Sequence, residues 1–113
     1  MDVEGKRVLI TGGSSGIGLA MAHGLAARGA HLVIAARGAA RVDDAVAALD
    51  ASGAEAAGIV ADVATEAGRA AALQGAIDAF GGLDILVNNA GAVRAGRLDA
   101  IDEDEIRAMI EVD

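Results

Sequence analysis

Thr11-Gly12-Gly13-Ser14-Ser15-Gly16-Ile17-Gly18 is the stretch that decides how the chain is read. It follows a short apolar run, Val8-Leu9-Ile10, that reads as a buried strand. It opens a segment, Gly16 to Arg28, that reads as a helix with Ile17, Met21 and Leu25 on one face. Strand, glycine turn and helix in that order form the first part of a βαβ unit. Gly12, Gly16 and Gly18 meet three demands of such a turn when it carries a pyrophosphate. The chain must reverse tightly, its backbone must come close to the phosphates, and the helix must come close to the strand, each favouring a residue without a Cβ. The helix N-terminus offers free N–H groups and partial positive charge, and Ser14 and Ser15 add hydroxyl donors. The Gly-Lys-Ser/Thr ending of an NTPase phosphate loop is absent. A glycine-rich segment elsewhere would be an ordinary loop; its position between strand and helix makes it a phosphate-binding candidate.

Working outward, the same alternation repeats. Gly29 stops the first helix, and His31 to Ala36 is a second strand. Arg41 to Ala51 is a second helix with Val42, Val46 and Leu49 on one stripe, closed by Ser52-Gly53. Ala57 to Ala61 is a third strand. Thr65 caps a third helix whose inner face is Ala70, Leu73, Ile77 and Phe80, closed by Gly81-Gly82. Leu83 to Asn88 is a fourth strand. A fourth helix starts near Asp102, where Asp102 with Glu105 resembles a capping box and Ile106, Met109 and Ile110 face inward. The order β-α-β-α-β-α-β-α predicts an α/β, Rossmann-type doubly wound parallel sheet of about four strands in the order 3-2-1-4. Strands that are apolar throughout fit helices on both faces. The 113 residues are enough for one domain, with no linker or internal repeat beyond the β-α unit.

In open sheets of this kind ligands bind at the carboxyl ends of the strands. Those ends are Thr11 to Gly18, Ala36-Arg37, Asp62-Val63 and Asn88 to Gly91, and all carry polar or glycine features suited to one elongated ligand. Other chemistry is poorly served. There is no cysteine, hence no disulfide, thiolate metal site or cysteine nucleophile, which fits a reducing cytoplasm. His23 and His31 have no metal-ligand spacing. Val8 to Ala27 lacks formal charge, but the polar turn inside it argues against a membrane span. The net charge is −8, and seven acids against one base lie between Leu98 and Asp113. That balance argues against nucleic acid and anionic membranes as partners. The start, Met1-Asp2-Val3-Glu4, does not resemble a secretory signal.

The glycine turn resembles the Thr-Gly-x-x-x-Gly-Ile-Gly signature of the short-chain dehydrogenase/reductase family. Asn88-Asn89-Ala90-Gly91 resembles that family's element after the fourth strand, and Asp62-Val63 its adenine-contacting pair. The resemblance covers essentially the whole chain and implies a bound NAD or NADP. It sets Asp62 to accept from the adenine amino group, with the Val63 N–H on the ring. It sets the Asn89, Ala90 and Gly91 backbone along the adenosine ribose, and Val112 toward the nicotinamide. Read without it, Asp62 is also a helix-capping acid and Asn88-Asn89 a turn pair. At the end of the second strand NAD sites usually carry an acid for the ribose 2′-OH. Here stands Arg37, able to pair with a 2′-phosphate or else a plain surface arginine. In the family a basic residue there implies NADP over NAD. Arg41 assists or is a solvated helix residue, and Ser15 stands where some NADP-binding relatives carry a second base.

The family transfers hydride between nicotinamide and an alcohol or carbonyl carbon, using a tyrosine, a lysine four residues later and a serine. This sequence has no tyrosine. Its sole lysine, Lys6, precedes the first strand, and its three serines, Ser14, Ser15 and Ser52, lie in turns. Val112 is followed by Asp113, not by the family's usual asparagine. The expectation is therefore the cofactor-binding half of an oxidoreductase, without turnover of its own and with no catalytic residue assigned. A small-molecule substrate belongs only to a complete enzyme. The alternatives are a nucleotide-binding module without turnover, or an interaction protein using the edge of the fourth strand. Alone, the chain is expected either to be marginally stable or to associate through that edge or the fourth helix.

Overall fold

The structure, a computed structural model, describes residues 2–14 and 16–89. It consists of β1 (Arg7–Thr11), α1 (Gly16–Ala27), β2 (His31–Ala36), α2 (Ala39–Ala51), β3 (Ala56–Val60), α3 (Glu66–Phe80) and β4 (Ile85–Asn88). The strands form one parallel sheet in the order β3-β2-β1-β4, as the alternation predicts. The expected helix from Asp102, with Glu105, Ile106, Met109 and Ile110, lies outside the described residues.

The strands are apolar on both sides because both sides are covered. Val8, Ile10, Leu32 and Ile34 face one core with Ala22 of α1 and Leu49 of α2. Leu9, Val33, Ala35 and Leu86 face the other with Ala72, Leu73 and Ala76 of α3. Successive residues of β1, β2 and β4 thus enter opposite cores, whereas the edge strand β3 leaves Gly58 and Val60 exposed. His31, at the start of β2, sets its ring 5.5 Å from that of Phe80, a packing role. His23 is exposed.

The helix ends follow local chemistry. The Thr65 hydroxyl accepts from the Gly68 N–H at 2.9 Å and caps α3, while Gly81 closes it at φ 78°. Gly29 ends α1 at φ 88°. α2 starts at Ala39, two residues before the expected Arg41, because Gly38 takes the N-cap position and alanines continue the helix.

Two helix faces differ from expectation. The buried residues of α1 are Gly18 and Ala22, whereas Ile17 is 66% exposed. Leu25 keeps a partly buried place against the core, and Met21 is half-buried. In α3 the buried residues are Ala72, Leu73 and Ala76, with Phe80 packed at the margin; Ala70 and Ile77 are exposed. In both helices small residues meet the sheet and allow close approach, which rotates the larger ones outward. No helix among the described residues is long and apolar enough to cross a membrane.

At the opposite end of the sheet from the glycine turn, Arg7 and Asp84 tie β1 to the entry of β4. The guanidinium meets both carboxylate oxygens, Nε to Oδ2 at 2.9 Å and Nη2 to Oδ1 at 3.0 Å. The Arg7 backbone N–H also donates to Oδ2 at 2.9 Å, and the Asp84 N–H returns a bond to the Arg7 carbonyl. Asp84 occupies this turn instead of extending the strand, so β4 begins at Ile85, not Leu83. The Arg7 side-chain hydrogen bonds, then its backbone N–H and its charge, hold the Asp84 carboxyl down to about 2 against the opposing effect of burial. A carboxyl depressed on folding stabilises above its unfolded value and loses that contribution as pH falls through its folded value. The stability gap between the chain and Asp84→Asn is therefore expected to be full above about pH 4 and to close as pH approaches 2. Urea unfolding at a series of pH values checks this; a gap that stays constant would show that the charge contributes nothing.

Candidate functional site

The sheet order makes a switch point between β1 and β4, since the chain winds outward from β1 through β2 to β3 and then crosses back to place β4 on the other side of β1. Thr11 and Asn88 are register partners there and are fully buried. The Thr11 hydroxyl donates to Asn88 Oδ1 at 2.9 Å and accepts from the Asn89 N–H at 3.1 Å. The Asn89 side-chain amide donates to the Gly12 carbonyl at 3.2 Å. On the other side, the Gly12 N–H donates to the Ala35 carbonyl of β2 at 2.8 Å. Three strand ends are thus fixed around the start of the glycine turn. Thr11 and Asn88 belong to the motifs quoted above, yet neither was a candidate ligand contact. Their signal is a polar residue closing an apolar strand, and their role is to align the turn.

Within the turn the glycines divide by requirement. Gly12 and Gly16 have φ of 68° and 58°, the left-handed region where a side chain is strained. At Gly18 a Cβ would run into the Gly12 carbonyl oxygen and lie 2.6 Å from the Asn89 side-chain nitrogen. At Gly13, which the spacing did not single out, a Cβ would lie 2.9 Å from Ile34 Cδ1, a side-chain end rather than backbone. The N-terminus of α1 is therefore drawn against the end of β1. Ile17, in the first turn of α1, presents its apolar side chain outward. Ser14 is half-buried.

At the ends of β2 and β3 the other candidates have separate positions. Arg37 directly follows β2 and is exposed, with no ion pair among the described residues. Asp62 and Val63 form a corner after β3. Asp62 Oδ1 accepts from the Ala64 N–H at 2.9 Å, and the Asp62 carbonyl accepts from the Thr65 N–H and hydroxyl. The aspartate side chain thus braces the turn while Thr65 supplies the helix cap. The Val63 N–H and Asp62 Oδ2 have no hydrogen-bond partner among the described residues. That pair offers one donor and one acceptor on adjoining residues. Ser15, Ala90, Gly91 and Val112 lie outside the described residues. Among the described residues no cluster of His, Asp or Glu is able to hold a metal.

A profile of the short chain dehydrogenase family matches residues 6–113. An uncharacterized oxidoreductase of Methylorubrum extorquens is 36% identical over 97% of this chain and 45% of its own length. The (2S)-[(R)-hydroxy(phenyl)methyl]succinyl-CoA dehydrogenase subunit of Thauera aromatica is 39% identical over 99% of the chain and 45% of its own length. The chain thus spans about half the length of the curated relatives it matches. Among solved structures, L-sorbose reductase from Gluconobacter frateurii, complexed with NADPH and L-sorbose, aligns with a TM-score of 0.76 at 37% identity, over 99% of this chain and 47% of that one. A short chain dehydrogenase from Burkholderia cenocepacia, in complex with NADP, aligns at 0.74 and 47% identity, over 99% and 46%.

The closure at Gly18 gives a direct test. Gly18→Ala forces α1 away from the Gly12 carbonyl, and the expected cost is about 1–3 kcal/mol, read as a lower urea midpoint. Gly24→Ala, at a helical position where a Cβ meets nothing within 4 Å, is the control and is expected to leave the midpoint unchanged or raise it. Equal effects at the two positions would remove the argument from close approach.

Proposed function

The chain belongs to the short chain dehydrogenase family, and from that premise we propose that residues 1–113 are one NAD(P)-binding Rossmann domain of an NAD(P)-dependent short-chain oxidoreductase, taking NADP in preference to NAD. The observation that carries the reading is the glycine turn. Gly12 and Gly16 adopt conformations suited to glycine, and Gly18 admits no Cβ, at the N-terminus of a helix that begins where β1 ends. This fits a pyrophosphate lying against backbone N–H groups.

The remaining contacts follow the strand ends. Gly12, Ser14, Gly16 and Gly18, together with Ser15, hold the pyrophosphate. Ile17, large, apolar and exposed, covers the cofactor on the helix side. Asp62 Oδ2 accepts from the adenine amino group, and the Val63 N–H donates to the ring nitrogen beside it; these are the groups the corner leaves without partners. The Asn89, Ala90 and Gly91 backbone lines the adenosine ribose. Arg37, exposed after β2 with no carboxylate at the neighbouring Ala36 or Gly38, pairs with the 2′-phosphate. When bound, the nicotinamide supplies or accepts the hydride exchanged with an alcohol or carbonyl carbon. The residues of this chain hold and orient it. The sequence contains no tyrosine, so the proposal assigns none of these residues the role of general acid or base.

Titration of the 113-residue chain with NADPH and NADH, followed by nicotinamide fluorescence, tests both parts. Tighter binding of NADPH is expected. Arg37→Asp should weaken NADPH by roughly 10- to 100-fold, the worth of a charge-assisted pair, and leave NADH unchanged or improved. Equal affinities in the unaltered chain would overturn the preference for NADP, and binding of neither would overturn the cofactor-holding role.

A further inference from the structure

We propose that Arg69 is a positioning residue for adenine recognition: it ties the Asp62–Val63 corner to α3, so that the acceptor and donor facing the base stay in register. The inference rests on the cofactor reading above and concerns a residue that no motif in the chain includes.

Arg69 is the fourth residue of α3 and is partly buried. A cation in the first turn of a helix meets the unfavourable end of the helix dipole, and Arg69 forms no ion pair among the described residues. Side chains of a helix lean toward its N-terminus, and Arg69 reaches back across that end. Its Nη1 donates to the Val63 and Ala64 carbonyls, each at 3.3 Å. Gly68, just before it, makes the reach short. A Cβ on Gly68 would run into the Asp62 carbonyl oxygen, so the first turn of α3 lies directly against the corner. Three successive carbonyls, those of Asp62, Val63 and Ala64, thereby accept from Thr65 or Arg69.

The peptide units so held carry the recognition groups. The Ala64 N–H occupies one oxygen of Asp62 and leaves the other. With the carbonyls on both sides of it fixed by Thr65 and Arg69, the Val63 N–H is held in one direction. Adenine presents an amino donor beside a ring-nitrogen acceptor, the complement of this carboxylate and N–H. Hypoxanthine presents an oxygen beside a ring N–H, which reverses both and leaves like groups opposed. Discrimination between these bases therefore reads the alignment of the corner, whereas pyrophosphate and 2′-phosphate contacts are common to both.

The test is fluorescence titration of the full chain with NADPH and with reduced nicotinamide hypoxanthine dinucleotide phosphate, comparing the ratio of the two dissociation constants. The unaltered chain is expected to favour the adenine form by about tenfold or more. Arg69→Met, which keeps a long helix-compatible arm without donors, should bring the ratio to within about twofold, chiefly by weakening the adenine form. Arg69→Lys, with a single donor group, should fall between, and it serves if the Met variant does not fold. Equal weakening of both dinucleotides in either variant would mean a structural role alone and overturn the inference, as would an unchanged ratio. Failure of the unaltered chain to bind NADPH would instead overturn the underlying cofactor reading. Binding without discrimination would overturn the assignment of adenine to Asp62 and Val63, and the role of Arg69 with it.

Discussion

At Gly18 there is no space for a methyl group, and much of the molecule follows from that closeness. A Cβ would meet the Gly12 carbonyl, so α1 starts hard against the end of β1. The carbonyl it would strike already accepts from the Asn89 side chain, and the Gly12 N–H is bound to β2. Helix, turn and three strands are thus fixed to one another within a few ångströms. With so little slack, the backbone of the turn is preorganised, and less freedom is lost when a ligand settles on it.

The strands were legible because a parallel sheet covered on both faces needs unbroken apolar runs, and Val8-Leu9-Ile10 and Leu32-Val33-Ile34 are such runs. Their order was legible because right-handed crossovers leave few arrangements. The inner faces of α1 and α3 were read correctly at Leu25, Leu73 and Phe80 and misread at Ile17, Ala70 and Ile77, for one reason. Periodicity looks for large apolar residues, but a helix lying close on a sheet buries its smallest ones. Ile17 and Ile77 gave the stronger signal and are exposed; Gly18, Ala22, Ala72 and Ala76 gave little and are buried.

The geometry of the candidate site was legible where it sits in consecutive residues, as in the glycine turn. It was hidden where the partners are distant or use backbone atoms. Arg7 and Asp84 are 77 residues apart, and nothing short of the register of β1 on β4 pairs them. Arg69 binds carbonyls, which every residue possesses, so its partners leave no mark in the sequence. The dual character of Asp62 was visible only as two competing readings. In the fold one carboxylate oxygen braces the turn, and the cap itself comes from Thr65.

The union of β1 with β4 also bears on how the chain assembles. β1 and β2 are joined through a single helix, whereas β1 and β4 meet only after 77 residues have been brought round. Closing a long loop costs more chain entropy than closing a short one, and contacts of large sequence separation form slowly. The β1–β2–β3 half is therefore expected to condense first, with β4 docking late. Asn88 and Asn89 arrive on that last strand, so the Thr11 hydroxyl and the Gly12 carbonyl gain these partners only at the final step. The proposed binding competence is therefore expected late in folding, and a chain stalled before β4 docks would hold most of its core but not the candidate site.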